Sequence, residues 1–371
     1  MLVGVPKEIK TKEFRVGLTP TSVREFVAAG HEVLVETQAG MGILATDEDY
    51  IRAGAKIAKT AKDVFDTADM IVKVKEPQPQ ECKMLREGQI LFTYLHLAAD
   101  AEQAKGLIDS GCVAIAYETV TGEQGGLPLL APMSEVAGRM AVHVGAYHLH
   151  APYGGAGILI GGVPGVSAAR VVIIGGGVAG MNAAKMAVGL EARVTILERN
   201  LHRIRALEDL FGNRANIVYS TQDDVDHYVS EATLVIGAVL IPGARAPKLV
   251  TRELIKSMRP KTVLVDVAID QGGVAETSKP TTHDDPVYTV DDVQHYCVAN
   301  MPGAVPRTST YALNNAVMPY ALQIAGKGWK DALRENVHLA HGLNVCLGKI
   351  TQAEVAHDLN LAYTEAAELL A

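Results

Sequence analysis

The chain has 371 residues, 48% of them apolar and 20% charged, with a formal net charge of −8. This length exceeds one ordinary hydrophobic core, so two domains are expected, and the composition carries no signature of disorder. The acidic balance argues against a nucleic-acid partner, which would call for a basic face, and no apolar run reaches the roughly 18 residues of a membrane-spanning helix.

The opening MLVGVPKEI has no charged and apolar leader, and Cys82, Cys112, Cys297 and Cys346 show neither C-x-x-C nor metal-ligand spacing. Buried, reduced thiols in a soluble cytoplasmic protein, without a metal site, are the expectation.

Over residues 1–130, short β-rich runs at 2–5, 33–36, 70–75, 89–95 and 113–118 alternate with helical stretches at 22–29, 47–53 and 101–110. That rhythm implies βαβ units and a largely parallel, doubly wound sheet. Ligands of such sheets gather at the carboxyl ends of the strands. There Lys75 closes MIVKVK, His96 follows ILFTYL, Glu118 closes VAIAY and Arg15 lies in the loop KEIKTKEFR. Arg15 and Lys75 together suit a small carboxylate, the guanidinium bidentate and the ammonium as a point charge, although each alone reads equally as a solvated cation. His96 is of the residue type suited to proton transfer, with a satisfied loop histidine as the alternative. Glu118 reads as a helix cap or a surface acid, and no role is assigned to it.

A long helix is expected from SEVAGRMAVHVGAYHLH, with Ser134 as its N-cap, falling between two α/β patterns as an interdomain link. His143, His148 and His150 lack a carboxylate and a metal spacing, so they read as surface or oligomer-contact residues. The glycine-rich residues 153–166 lead into a strand, which suits turns or a hairpin better than a phosphate cradle.

The densest signal is RVVIIGGGVAGMNAAKMAVGLEARVTILE, residues 170–198. Four β-branched residues, Val171 to Ile174, run into G-x-G-x-x-G and then into a helical pattern, and a second strand ends on Glu198. Gly175 permits the tight turn, Gly177 leaves room for a pyrophosphate, Gly180 lets helix and strand pack, and the helix start at Val178 and Ala179 presents free amides. Glu198, about 20 residues on, suits ribose hydroxyls and repels a 2′-phosphate, which favours NAD over NADP, while Arg199 beside it, able to pair with the extra phosphate, keeps NADP as the minority reading.

The rhythm continues at 217–220, 233–239, 263–269 and 295–299, completing a six-stranded dinucleotide-binding sheet. Asp266 lies inside VLVDVAI and reads as a buried structural acid; Asp270 stands at its end, where an acid can orient a histidine or a water. Beyond Pro306 a helical tail without further strands is expected to return to the first domain and make it discontinuous.

Several stretches together resemble the alanine dehydrogenase family, whose relatives include the NAD-binding subunit of proton-translocating transhydrogenase. They are VGVPKEIKTKEFRVGLTP, VKVKEPQ, LFTYLHLA, LLAPMSEVAGR, the glycine fingerprint, LVDVAIDQGG and VANMPGAVPRTSTYAL, and they span essentially the whole chain. The resemblance implies two doubly wound Rossmann-like domains with mostly parallel sheets joined by long helices. Residues 1–130 with 307–371 would hold substrate, and 131–306 would hold NAD. It implies that Arg15 and Lys75 bind the substrate carboxylate and that His96 with Asp270 handle protons. The matching cofactor contacts are Ser134, Val178, Ala179, Glu198, Arg203, Ser220, Val239, Leu240, Val267, Ala268, Ile269, Asp270, Lys279, Val298, Ala299, Asn300 and Met301, beside the fingerprint glycines. The ribose-binding acid is often Asp in the family, whereas this chain has Glu198. The implied reaction converts L-alanine, NAD and water to pyruvate, ammonia and NADH, in a homohexamer with no membrane or nucleic-acid partner. The active edges of the two sheets are expected to face each other. The soluble NAD-binding subunit of a transhydrogenase, a saccharopine dehydrogenase with a roomier pocket and a non-enzymatic NAD sensor are the competing readings.

Overall fold

The computed structural model describes residues 1–240 and 246–371. The chain forms two compact units, Met1–Met133 with Val305–Ala371, and Ser134–Ala304.

In the first unit, β1 (Leu2–Val5), β2 (Glu32–Glu36), β3 (Lys56–Ala58), β4 (Met70–Val72), β5 (Ile90–Thr93) and β6 (Val113–Ala116) run parallel, in the order β6-β5-β4-β1-β2-β3. Read from the other edge this is the 3-2-1-4-5-6 winding, whose direction reverses between β1 and β4. Every residue of β4, β5 and β6 is buried, as expected of strands covered on both faces. The intervening helices begin on N-cap side chains, with reciprocal capping boxes at Thr46/Asp49 and Thr60/Asp63. β3 was not anticipated, because three residues are too few to show an alternation.

The second unit contains β7 (Arg170–Ile174), β8 (Arg193–Glu198), β9 (Ala215–Tyr219), β10 (Leu234–Gly237), β11 (Val263–Asp266), β12 (Val287–Val290) and β13 (Val293–Tyr296), ordered β12-β13-β11-β10-β7-β8-β9. Only β12 is antiparallel, pairing with β13 at the edge as a strand beyond the expected six. Alternate residues feed two cores: Val171, Ile173, Ile236 and Val265 join one, while Val172, Ile174, Val235 and Leu264 join the other. The switch point falls between β7 and β10, and β7 is followed by the glycine turn and the helix Val178–Gly189.

The long helix spans Ala131–His148. Ser134 is therefore its fourth residue, not its N-cap, because the chain has already turned upstream through Ala131 N–H donating to Leu127 O at 2.9 Å. The glycine-rich stretch forms turns, with Val163 and Val166 bridged by main-chain bonds of 2.8 and 3.3 Å.

The tail departs from expectation. After the helix Pro306–Lys327, two strands follow, β14 (Leu343–Cys346) and β15 (Lys349–Ile350), and extend the first sheet antiparallel from β6. Their signal was hidden twice. Asn344 interrupts the apolar run and is buried only because Thr119 Oγ1 and Gly342 O accept its amide at 2.8 and 2.9 Å. The hairpin turn is Leu347-Gly348, both at positive φ, where Asn or Asp would ordinarily stand before the glycine. Among the described residues no helix is long and apolar enough to cross a membrane.

Candidate active site

Four adjacent strands of the first unit, β1, β4, β5 and β6, lead at their carboxyl ends into the segments that carry Arg15, Lys75, His96 and Glu118. The β1 and β4 exits flank the switch point, which is where a doubly wound sheet opens a crevice.

Arg15 is buried and not a surface cation. Its Nε and Nη2 each donate to the Glu13 carboxylate at 2.7 Å, and Nη1 lies 3.0 Å from Met133 Sδ. Burial works against the guanidinium charge, yet Glu13 outweighs it and holds Arg15 firmly protonated. The Nε side of the fork thus faces Glu13, so a bidentate carboxylate ligand has to meet the Nη1/Nη2 end. The chain just beyond is pinned from the returning helix: Asn314 Nδ2 donates to Gly17 O at 2.9 Å and its Oδ1 accepts from Thr19 N–H at 2.8 Å.

Lys75 lies three residues past β4, with its ammonium 3.9 Å from Glu76. Past β4 the main chain still bonds toward β5, Lys73 N–H donating to Phe92 O at 3.2 Å and Tyr94 N–H to Val74 O at 3.3 Å, while Glu8 accepts the main-chain N–H of Val74 and Lys75, at 2.7 and 3.3 Å. Glu8 also pairs with Lys73 at 3.0 Å, and Lys73 with Glu81 at 2.8 Å, all three buried. Burial pushes the Glu8 carboxyl up; for Lys73 burial acts downward, but the two carboxylates overcome it and raise its pKa.

His96 has the left-handed backbone φ 50°, ψ 40°, unusual for a residue other than glycine. Glu118 sustains that turn by accepting from Leu95 N–H at 3.1 Å and His96 N–H at 2.5 Å, with its Oε1 3.8 Å from His96 Nδ1. The imidazole is half exposed and stacks on Tyr94, centroids 5.7 Å apart and planes at 7°. Tyr94 is itself fixed by donating its hydroxyl to Leu129 O at 2.5 Å. Tyr94, Glu13 and Glu8 were not singled out in the sequence. The position of Tyr94 two residues before His96, on the same face of an extended chain, was the available clue.

The second unit has the features a dinucleotide needs. Gly175 has φ 98° and lies against the Ala238 carbonyl across the switch point. A side chain at Gly180 would run into Gly175 O, whereas at Gly177 one would meet no atom within 4 Å among the described residues. That opening, beside the N-terminus of the helix Val178–Gly189, is a fitting place for a pyrophosphate. Glu198 accepts three main-chain N–H groups, from Gly176 at 2.8 Å, Arg199 at 2.7 Å and Asn200 at 2.9 Å, leaving acceptor capacity for a ribose hydroxyl. Arg203 braces the same loop, its Nε donating to Gly176 O at 2.6 Å.

The remaining predicted cofactor contacts follow the strands. Ser220 succeeds β9, Val239 and Leu240 succeed β10, and Val267, Ala268, Ile269 and Asp270 form the 3-10 turn after β11. Asp270 is exposed, whereas Asp266 is buried and accepts from Val274 N–H at 2.8 Å and Ser278 Oγ at 2.5 Å. Val298, Ala299, Asn300 and Met301 succeed β13; Asn300 has φ 71° and its carbonyl accepts from His283 Nε2 at 3.1 Å. Lys279 lies 4.5 Å over the Tyr288 ring and donates its N–H to the hydroxyl at 2.7 Å. Ser134, in the first part of the long helix, is partly buried.

All four cysteines are buried and unbridged, and no three His, Cys, Asp or Glu side chains gather as a metal cage among the described residues. A cleft of about 410 Å³ between His148, Tyr153, Lys261 and Gln294 involves the loop before β11, away from the strand exits just described.

Two doubly wound units, one with a dinucleotide cradle and one with a buried arginine, a lysine and a histidine at its switch point, define a dinucleotide-dependent enzyme class. The family models for the N-terminal and C-terminal domains of alanine dehydrogenase/PNT match residues 4–137 and 141–353. The chain belongs to the alanine dehydrogenase/PNT family. It is 56% identical to an alanine dehydrogenase of Halomonas elongata, over 100% of both chains, and 56% identical to one of Bacillus subtilis, over 100% of this chain and 98% of the other. A solved L-alanine dehydrogenase superposes with TM-score 0.93 at 51% identity, covering 100% of both chains. A transhydrogenase from Sinorhizobium meliloti superposes with TM-score 0.81 at 25% identity, covering 95% of this chain and 99% of the other.

Proposed function

We propose that the protein catalyses the reversible oxidative deamination of L-alanine with NAD, yielding pyruvate, ammonia and NADH. The observation that carries this reading is the ordered edge of the first unit, where consecutive strand exits supply Arg15, Lys75, His96 and Glu118. Whole-length identity of 51–56% to proteins named alanine dehydrogenase supports the substrate.

NAD, held by the glycine turn, Glu198 and the exits of β9, β10, β11 and β13, supplies the hydride acceptor when bound. Arg15 and Lys75 fix the substrate carboxylate, and this orients the α-carbon so that a bimolecular reaction becomes a positioned one. Water adds to the resulting iminium carbon. His96 takes a proton from that water and returns one to the departing nitrogen as the carbinolamine collapses; Asp270 orients water and proton traffic. The turn that holds His96 and the ring beneath it keep the imidazole in place through both transfers.

The assembly is a homohexamer in the cytoplasm. Tyr147, Tyr153, Leu159, Val163 and Val166 expose apolar surface along one stretch of the second unit, a composition suited to subunit contact. Light scattering on the purified protein checks the mass.

The functional test is NADH formation from a panel of L-amino acids at alkaline pH, where more of the substrate amine is unprotonated. Turnover of L-alanine above the other amino acids is the expected result. Hydride exchange between nucleotides with no amino-acid turnover would replace this reading by that of a transhydrogenase subunit, and binding of NAD without either reaction by that of a sensor.

A further inference from the structure

Three buried charges, Glu8, Lys73 and Glu81, lie beneath the substrate edge and take no part in the chemistry above. Such a cluster is costly to desolvate, and apolar side chains of similar volume often serve stability as well. Its geometry shows what an apolar replacement would lose. Glu8 comes from the β1 exit, the loop that also carries Arg15, and reaches sideways to the β4 exit, which carries Lys75. Oε1 accepts the N–H of Val74 at 2.7 Å and of Lys75 at 3.3 Å, while Oε2 is held by Lys73 Nζ at 3.0 Å. Lys73 is anchored in turn by Glu81 at 2.8 Å. The same loop returns over β4 at Gly17, where a side chain would collide with Val72 O. The loop bearing one cation is thus tied twice to the strand end bearing the other.

We propose that Glu8 is a positioning residue for Lys75: by accepting the main-chain N–H groups of Val74 and Lys75 it sets where Lys75 leaves the sheet, and so the spacing of the two substrate-binding cations. This rests on the reading that Lys75 binds the substrate carboxylate. Lys73 and Glu81 hold the Glu8 carboxylate in its orientation. Misplacement of a clamp by about 1 Å is enough to lower productive binding strongly.

Two conservative substitutions separate this role from a purely structural ion pair. Glu8→Gln keeps the length and the acceptor for the two main-chain N–H groups but loses the charge and the bond from Lys73, whose ammonium Glu81 still holds; Glu8→Asp keeps the charge but draws the acceptor back by one methylene. The expected result is a KM for L-alanine close to the parent enzyme for Glu8→Gln and raised roughly tenfold for Glu8→Asp, with kcat and NAD affinity changed much less. The reverse order, with Asp tolerated and Gln damaging, overturns the proposal. A cycle with Lys75→Ala completes the test, since the Glu8→Asp effect on KM should vanish when Lys75 is absent. Multiplicative effects in that cycle would overturn the positioning role while leaving the Lys75 reading intact; an unchanged KM for Lys75→Ala alone removes that reading and the proposal with it. Should Glu8→Asp not fold, Glu8→Leu, which keeps the volume and removes the acceptor, decides in the same cycle: a raised KM that vanishes when Lys75 is absent supports the proposal, and an unchanged KM, or a rise that persists without Lys75, overturns it.

Discussion

Glu118 accepts the main-chain N–H of His96 at 2.5 Å, and through that bond and the one to Leu95 it stabilises a left-handed residue at the end of β5. The carboxylate comes from the exit of β6, so the histidine at one strand exit is held by the exit of the neighbouring strand. Replacing His96 by Ala should lower kcat by ~10²–10⁴-fold, the usual value of positioned proton transfer, with NAD affinity retained. Glu118→Ala should lower kcat by roughly tenfold, about the worth of one or two hydrogen bonds, through the loss of the turn. Single-turnover kinetics with dinucleotide fluorescence as the binding control measures both. Full activity in Glu118→Ala would show that the loop keeps its shape unaided.

The functions of the second and third fingerprint glycines separate cleanly. A methyl group at Gly180 would collide with Gly175 O, a backbone atom with little freedom to withdraw, whereas at Gly177 the space is open. Gly180→Ala should therefore lower the melting temperature of the protein, by strain of about 1–3 kcal/mol. Gly177→Ala should melt like the parent yet bind NAD at least tenfold more weakly, because the methyl group occupies the approach of the pyrophosphate. Paired calorimetry and titration on the two variants resolve the matter, and a Gly177→Ala protein with normal affinity would place the phosphates elsewhere.

The sheets were legible because their strands are short apolar runs bounded by helical periods, and the β7 turn was legible because three glycines stand at fixed spacing before a helix. The strand ends were not. Periodicity carried β4 to Lys75, whereas the regular strand ends at Val72 and a carboxylate distant in sequence, Glu8, takes the N–H groups of Val74 and Lys75. β14 was hidden because its buried asparagine is satisfied in part by Thr119, a residue distant in sequence. At the candidate site Arg15, Lys75 and His96 stand out by strand-end position and residue type, whereas their contacts Glu13, Glu118 and Tyr94 gain meaning only when the loops are brought together. Local pattern reports which face is buried and is silent about which long-range polar partner ends an element.

Glu198 gives a prediction on cofactor choice. Its carboxylate is fixed at the end of β8 by three N–H groups, with Arg199 next in the chain and Arg203 turned onto the glycine loop. A fixed negative charge there repels a ribose phosphate. Glu198→Ala should weaken NAD and reduce the ratio of kcat/KM for NAD over NADP by about tenfold or more, a change worth at least ~1.4 kcal/mol. Steady-state kinetics with both nucleotides measures the ratio, and an unaltered ratio would mean that the carboxylate does not sense the 2′ position.

A buried histidine outside the predicted site residues should set part of the acid stability. His295, in β13, is fully buried; its Nδ1–H donates to Val293 O at 2.9 Å, so Nε2 accepts from the Thr277 hydroxyl at 2.8 Å. Burial lowers its pKa below the ordinary 6.5, the carbonyl of Val293 opposing that shift only in part. The unfolded chain then binds a proton that the folded chain refuses, in the window from 6.5 downward to the depressed native value. Stability is accordingly full above that window and declines as pH falls through it, with a slope of at most about 1.4 kcal/mol per pH unit from this one group. Replacing His295 by Gln should flatten the dependence of unfolding free energy on pH below 6.5, while lowering stability at pH 8 through the lost packing and bonds. Urea titrations of both proteins at matched ionic strength give the two slopes, and identical slopes would assign the acid sensitivity to other groups.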